Sequence, residues 1–127
     1  MEERTVWLDA GRFRIVLTHL EDITVGTRIE THARALISGD WNEHVETVLE
    51  YVAQTATQLD AIAFEFGTAV ATVGSVEDDF EMRFRRAGKD IVHVVCIPNV
   101  VEFDITQEQM MGFARAFREA FCETKHQ

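Results

Sequence analysis

Any chemistry in this chain would have to come from five histidines, two cysteines and a surplus of carboxylates, and their spacing already narrows what is available. His19, His32, His44, His93 and His126 never fall at metal-ligand spacing, so neither a metal nor a cofactor is expected. Cys96 and Cys122 form no Cys-x-x-Cys pair and both stand in apolar surroundings, which predicts two reduced thiols in a reducing compartment. His93 interrupts the run Ile-Val-His-Val-Val-Cys-Ile from Ile91 to Ile97. Its ring is either a hydrogen-bonded core histidine or a group poised by burial in a pocket. Cys96, three residues on, falls on the other face of a strand, so geometry opposes a thiolate–imidazole pair. There is no Gly-x-x-x-x-Gly-Lys, no Gly-x-Gly-x-x-Gly, no His-Glu-x-x-His, and no Gly-x-Ser-x-Gly around Ser38 or Ser75. These absences point away from an enzyme, and no catalytic residue is assigned.

The carboxylates are the more informative group. The 22 acidic residues outnumber the 12 basic ones for a formal net charge of -10, spread along the chain rather than gathered in a tail. Nucleic acid is therefore not an expected partner, because phosphate backbones are bound through lysines and arginines that release counterions. A basic protein is the natural counterpart. Glu43, Glu46 and Glu50 recur at helical spacing, and Glu77, Asp78 and Asp79 follow Val76 as an exposed turn. The stripe reads either as the solvated back of a helix or as part of an acidic docking face. Arg12, Arg14, Arg28 and Arg34 could line the polar side of a sheet, where pairing with neighbours such as Glu21 or Glu30 is the commoner fate.

The elements that must position these residues follow from periodicity. At 127 residues and 46% hydrophobic content the chain has the size of one domain, 1–127, with frayed ends near 1–4 and 123–127. Ile91 to Ile97 is apolar on both faces and rich in β-branched residues, as a strand buried in mid-sheet would be. Val6 and Leu8, then Phe13, Ile15 and Leu17, alternate around Gly11 as a hairpin. Ile23 to Thr31 keeps the same period after a break at Glu21 and Asp22. Asp40 with Glu43 fits a capping box, and Val45, Val48, Leu49, Val52, Ala53, Ala56 and Leu59 then predict a helix. Ile62, Phe64 and Phe66 read as a strand, with helix extension to Gly67 the alternative, and Ala69 to Val73 as a further strand.

Phe80, Met82 and Phe84 alternate up to a turn at Gly88-Lys89, a register that sets Phe84 opposite His93 and Met82 opposite Val95. After Pro98-Asn99, Val101, Phe103 and Ile105 give another strand. Thr106 with Gln109 caps a terminal helix whose Met110, Phe113, Ala114, Phe117 and Phe121 repeat at three-and-four spacing. That stripe either covers the sheet or forms the seam of a homodimer.

The order βββα-β(β)βββ-α predicts an α+β fold, an antiparallel sheet with two amphipathic helices on one face. The amino terminus Met-Glu-Glu-Arg is acidic and no apolar run approaches membrane-spanning length, so the expected address is cytoplasmic, without a signal peptide or membrane contact. In size, charge and element order the chain resembles the small acidic immunity proteins and antitoxins of bacteria, a likeness carried by no motif. It implies a non-enzymatic factor, an inhibitor or immunity-like protein, that captures a basic partner through Glu43, Glu46, Glu50 and Glu77 to Asp79. A ligand-binding module or small enzyme with a pocket near His93, or a homodimeric structural subunit, are the alternatives.

Overall fold

A computed structural model describes residues 4–39, 42–97 and 100–122. The chain builds β1 (Arg4–Ala10), β2 (Phe13–Val25), β3 (Arg28–Ser38), β4 (Glu43–Leu49) and α1 (Val52–Glu65). It then repeats that plan with β5 (Ala71–Ser75), β6 (Phe80–Gly88), β7 (Ile91–Ile97), β8 (Val101–Thr106) and α2 (Gln107–Phe121). Each half is an antiparallel meander, ordered β1-β2-β3-β4 and β5-β6-β7-β8. The α+β class and the antiparallel pairing hold, with the strands divided between two four-stranded sheets.

Alternation places Val6, Leu8, Ile15, Leu17, Ala33, Ala35 and Ile37 of the first sheet in the core, and Val73, Phe80, Met82, Phe84, Val92, Val94 and Ile105 of the second. Both halves feed one hydrophobic cluster, which also takes Ala56, Leu59, Ile62 and Ala63 from α1 and Met110, Phe113, Phe117 and Phe121 from α2. The helices pack on each other and on the opposite halves: α1 lies against β5, and α2 chiefly along β1. Each sheet's apolar face is thus covered with help from a helix outside its own meander. The phenylalanine stripe is spent inside the chain, each ring worth roughly 2–3 kcal/mol by burial. Thr106 and Gln109 form the expected capping box.

Four expectations need correction. First, Glu43 to Leu49 is a strand, and no helix begins before Val52. Val45 and Leu49 satisfy a helical stripe and a period of two equally well. Pairing with β3, at Ala35↔Val45 and Ala33↔Thr47, settles the choice in favour of a pleated surface that suits β-branched residues. Asp40 of the expected capping box lies outside the described residues. Second, Ile62 to Phe66 ends a helix. Ala56, Leu59, Ile62 and Ala63 turn inward, while Phe64 and Phe66 stay half exposed beneath the guanidinium groups of Arg115 and Arg86. The following strand starts at Ala71 rather than Ala69.

Third, β2 does not stop at Glu21 and Asp22. A β-bulge between His19 and Glu21 absorbs the irregularity, and the chain reverses at Gly26-Thr27, where Gly26 takes the left-handed φ of 65° that a two-residue hairpin turn requires. Fourth, the β6–β7 register is shifted by one. Phe84 faces Val94, Met82 faces Cys96, and it is Arg85 that faces His93. The turn falls on Lys89-Asp90, and a bulge between Arg86 and Gly88 leaves Ala87 as the extra residue. Arg86 holds this bulge: its guanidinium donates to the carbonyls of Gly88 and Lys89 and, at 2.6 Å each, to Ile62 O and Gln107 Oε1. A cation is thereby placed on one carbonyl of the last turn of α1, that of Ile62. β7 is interior to its sheet as expected, but only Val92, Val94 and Cys96 are buried; Ile91 on its other face is 45% exposed. The Pro98-Asn99 turn lies outside the described residues.

Candidate partner-binding site

The six acidic residues singled out in the sequence do not share one stripe. Glu46 points outward from β4, opposite Arg34 in register, whereas Glu43 lies on the inward side with Val45, Thr47 and Leu49. Glu50 falls beyond the strand, at the entrance to α1. Glu77 and Asp78 sit in a short 3-10 turn, Val76–Asp78, that joins β5 to β6, and Asp79 caps it in the left-handed region at φ 73°. Ser75 begins the turn, its hydroxyl accepting from the Glu77 amide at 3.2 Å. The turn is then fastened to β4, where Thr47 Oγ1 donates to the Asp78 carbonyl at 2.6 Å.

That attachment brings together residues that lie far apart along the chain. Val45 of β4, Val76 and Asp79 of the turn and Ile97 at the end of β7 line a cavity of about 190 Å³. Three of its four lining residues are apolar, and the fourth, Asp79, is exposed and belongs to the same turn as exposed Glu77. An apolar slot with a carboxylate rim matches the two-part chemistry of a lysine or arginine side chain, which buries its stem and keeps its charge at a polar tip. Glu43 shares β4 with Val45, so four carboxylates, Glu43, Glu77, Asp78 and Asp79, belong to the elements that build this slot. Glu46 faces the other way and Glu50 belongs to a different cavity.

His93 stands on the outward face of β7, turned away from the helices rather than into a pocket between sheet and helices. Asp104 Oδ1 lies 2.7 Å from Nδ1 and Glu102 Oε1 lies 3.0 Å from Nε2, so the protonated ring donates to both carboxylates. The bond to Asp104, then that to Glu102, raises the His93 pKa above its ordinary value, with burial opposing. A raised folded-state pKa contributes stability that is fully present below the unfolded value, about 6.5, and is lost as pH rises through the folded value. Because both carboxylates are more than half exposed, solvent screens the pair and the effect is modest. The expected result is a denaturation midpoint that falls on going from acid-neutral to alkaline pH, by more in the parent than in His93→Gln. An NMR titration of the ring with its midpoint at or below 6.5 would contradict this.

Cys96 is fully buried and desolvation pushes its thiol up to about 12, leaving no thiolate for nucleophilic work near neutrality. It faces the core, on the side of β7 opposite His93. Within the first sheet Arg14 pairs with Asp9 at 2.6 Å and Arg28 with Glu30 at 3.0 Å. Among the described residues no group of three or more histidines, cysteines and carboxylates could hold a metal ion, and no helix is long and apolar enough to cross a membrane. No protein-family model, no curated protein and no solved structure matches this chain.

Proposed function

We propose that the protein is a small acidic binding protein that captures a basic partner protein at the junction of β4, the Val76–Asp78 turn and β7. The observation that carries this reading is the slot lined by Val45, Val76 and Ile97 together with Asp79 of the acidic turn. A lysine or arginine from the partner enters with its stem against the valines and its charge among Glu77, Asp78 and Asp79. The overall charge of -10 supplies the long-range attraction that speeds encounter, and the slot supplies the short-range fit. An inhibitor or immunity-like role is the form of this activity that suits a chain with no catalytic constellation. The homodimer alternative loses its interface, since Phe113, Phe117 and Phe121 are buried in the chain's own core.

The test is a tagged pull-down from native cell lysate with washes at low and high salt, repeated with Glu77→Lys plus Asp79→Asn, which keeps a residue tolerant of the left-handed region at 79. One basic protein should be retained at low salt and released at high salt. The variant should bind it at least about tenfold more weakly, mostly through a slower association rate. Equal retention of that protein by parent and variant, or retention indifferent to salt, removes the proposal.

A further inference from the structure

The outward face of the second sheet, the side turned away from both helices, has its charges sorted by strand. Arg83 and Arg85 project from β6, alternating with the buried Met82 and Phe84. Glu102 and Asp104 project from β8, alternating with Val101, Phe103 and Ile105. β7 runs between these two strands with Ile91, His93, Val95 and Ile97 turned outward. The register lines the side chains up in rows: Arg83, Val95 and Glu102 form one, and Arg85, His93 and Asp104 the next. Both rows therefore run in the same order, from an arginine on β6 to a carboxylate on β8.

Such an order complements itself. A two-fold axis laid along β7, between two copies stacked face to face, carries β6 of one copy over β8 of the other and keeps every residue at its own height along the strand. Arg85 of each copy then meets the partner's Asp104, and Arg83 meets the partner's Glu102. Ile91 and Val95 meet their own counterparts on the axis; Ile91 is 45% exposed in the single chain and Val95 is half-buried. Facing sheets pack about 10 Å apart, a gap that an arginine and a carboxylate reaching from opposite sides can close.

Charge also selects a second copy over other occupants. Two molecules of charge -10 repel each other unless they meet at a face that is locally balanced. Here Arg83, Arg85 and protonated His93 offset Glu81, Glu102 and Asp104; His93 is held between the last two, and Arg83 bonds Glu81. Arg85 is exposed and no ion pair among the described residues engages it. On the outward face of the first sheet, by contrast, Arg14 and Arg28 are answered within the chain by Asp9 and Glu30. A wholly basic partner would be opposed by the two arginines of β6, and a wholly acidic one by the two carboxylates of β8. We propose that the outward face of the second sheet is the interface of a symmetric homodimer, with Arg85 of each copy paired to the partner's Asp104 on either side of an apolar seam along β7. The aromatic stripe of α2 has no part in this contact. Three strands make a small interface, which sets its dissociation constant at about 1–100 µM.

The experiment is sedimentation velocity of the full chain from about 5 to about 500 µM in about 0.15 M salt, where a screening length of about 8 Å mutes the overall repulsion and spares direct pairs. The parent should pass from the mass of one chain toward that of two. Arg85→Glu and Asp104→Lys, each alone, bring like charges together and should weaken association at least about tenfold. An equimolar mixture of the two variants sets the two reversed side chains against each other, leaves Arg85 against Asp104 on the second side of the seam, and should associate as the parent does. Recovery in the mixture also shows that both variants fold. Three results overturn the proposal: the parent keeps the mass of one chain throughout, either variant associates as the parent does, or the mixture stays as weak as its components. Neither substitution alters Val45, Val76, Asp79 or Ile97, so none of these results bears on capture of a basic partner at the acidic turn.

Discussion

Phe117→Ala should lower stability by about 3–5 kcal/mol, the largest effect expected of any single truncation in this chain. Phe117 is fully buried and sits in the middle of the aromatic row on α2, with the Phe121 ring 4.9 Å and the Phe113 ring 6.3 Å away, centroid to centroid. Phe113 in turn meets Phe84 of β6 at 5.0 Å, and Phe121 meets the His19 ring of β2 at 5.2 Å. Removing Phe117 therefore cuts the row that runs from one sheet to the other and leaves a void that rigid neighbours cannot fill. Against a total stability on the order of 5–15 kcal/mol, such a loss puts the melting temperature roughly 10–20 °C lower. Phe64→Ala is the matched comparison, since that ring is 41% exposed and rests under Arg115. It should cost no more than about 1 kcal/mol. If thermal melts of the two variants coincide, the core assigned to α2 is wrong.

The terminal helix was legible in the sequence because two unrelated signals agreed on it. Thr106 and Gln109 announce a start, and the apolar spacing from Met110 to Phe121 announces a face; the structure contains both. The β1–β2 hairpin was legible for the same reason, alternation meeting at Gly11. Between residues 40 and 66 the signals conflicted. Val45 and Leu49 serve either period, and the deciding interaction is pairing with β3, which is not local. The one-residue error at His93 has a comparable origin. A bulge at Ala87 changes which face of β7 turns inward, and what stabilises it is Arg86 reaching the Ile62 carbonyl on α1 and a side chain on α2.

The candidate sites divide along the same line. The acidic turn was visible as a composition, Glu77-Asp78-Asp79, whereas the slot that gives it a use is made by Val45, Val76 and Ile97. Those three residues belong to separate elements and each is unremarkable in sequence. Helical spacing had joined Glu46 and Glu50 to the same stripe, and the strand separates them, one to the outer face of the first sheet and one to the mouth of α1.

Gly74→Ala is the second large effect, and it ties the fold to the proposed binding surface. Gly74 has φ 82°, outside the range an L-residue readily adopts, and a methyl group built on it would lie 2.4 Å from the Phe80 carbonyl oxygen. Neither problem is relieved by a side-chain movement, because the obstacle is backbone held in the Ser75↔Phe80 and Gly74↔Glu81 pairing. Strain and overpacking together should cost about 2–4 kcal/mol. The same substitution at Gly112 has the opposite sign: it is exposed within α2 with nothing within 4 Å of the added carbon, so Gly112→Ala should stabilise by about 0.5–1 kcal/mol. Urea denaturation of the two variants separates a geometric requirement at Gly74 from a general response to alanine. The loop closed by Gly74 and Phe80 is the one that carries Val76, Glu77, Asp78 and Asp79. Any folded Gly74→Ala protein must therefore shift that turn against Thr47 and Val45, and its affinity for a basic partner should fall even at temperatures where the chain remains native. A variant that is destabilised yet binds that partner undiminished would show that the slot's geometry is not what the partner reads.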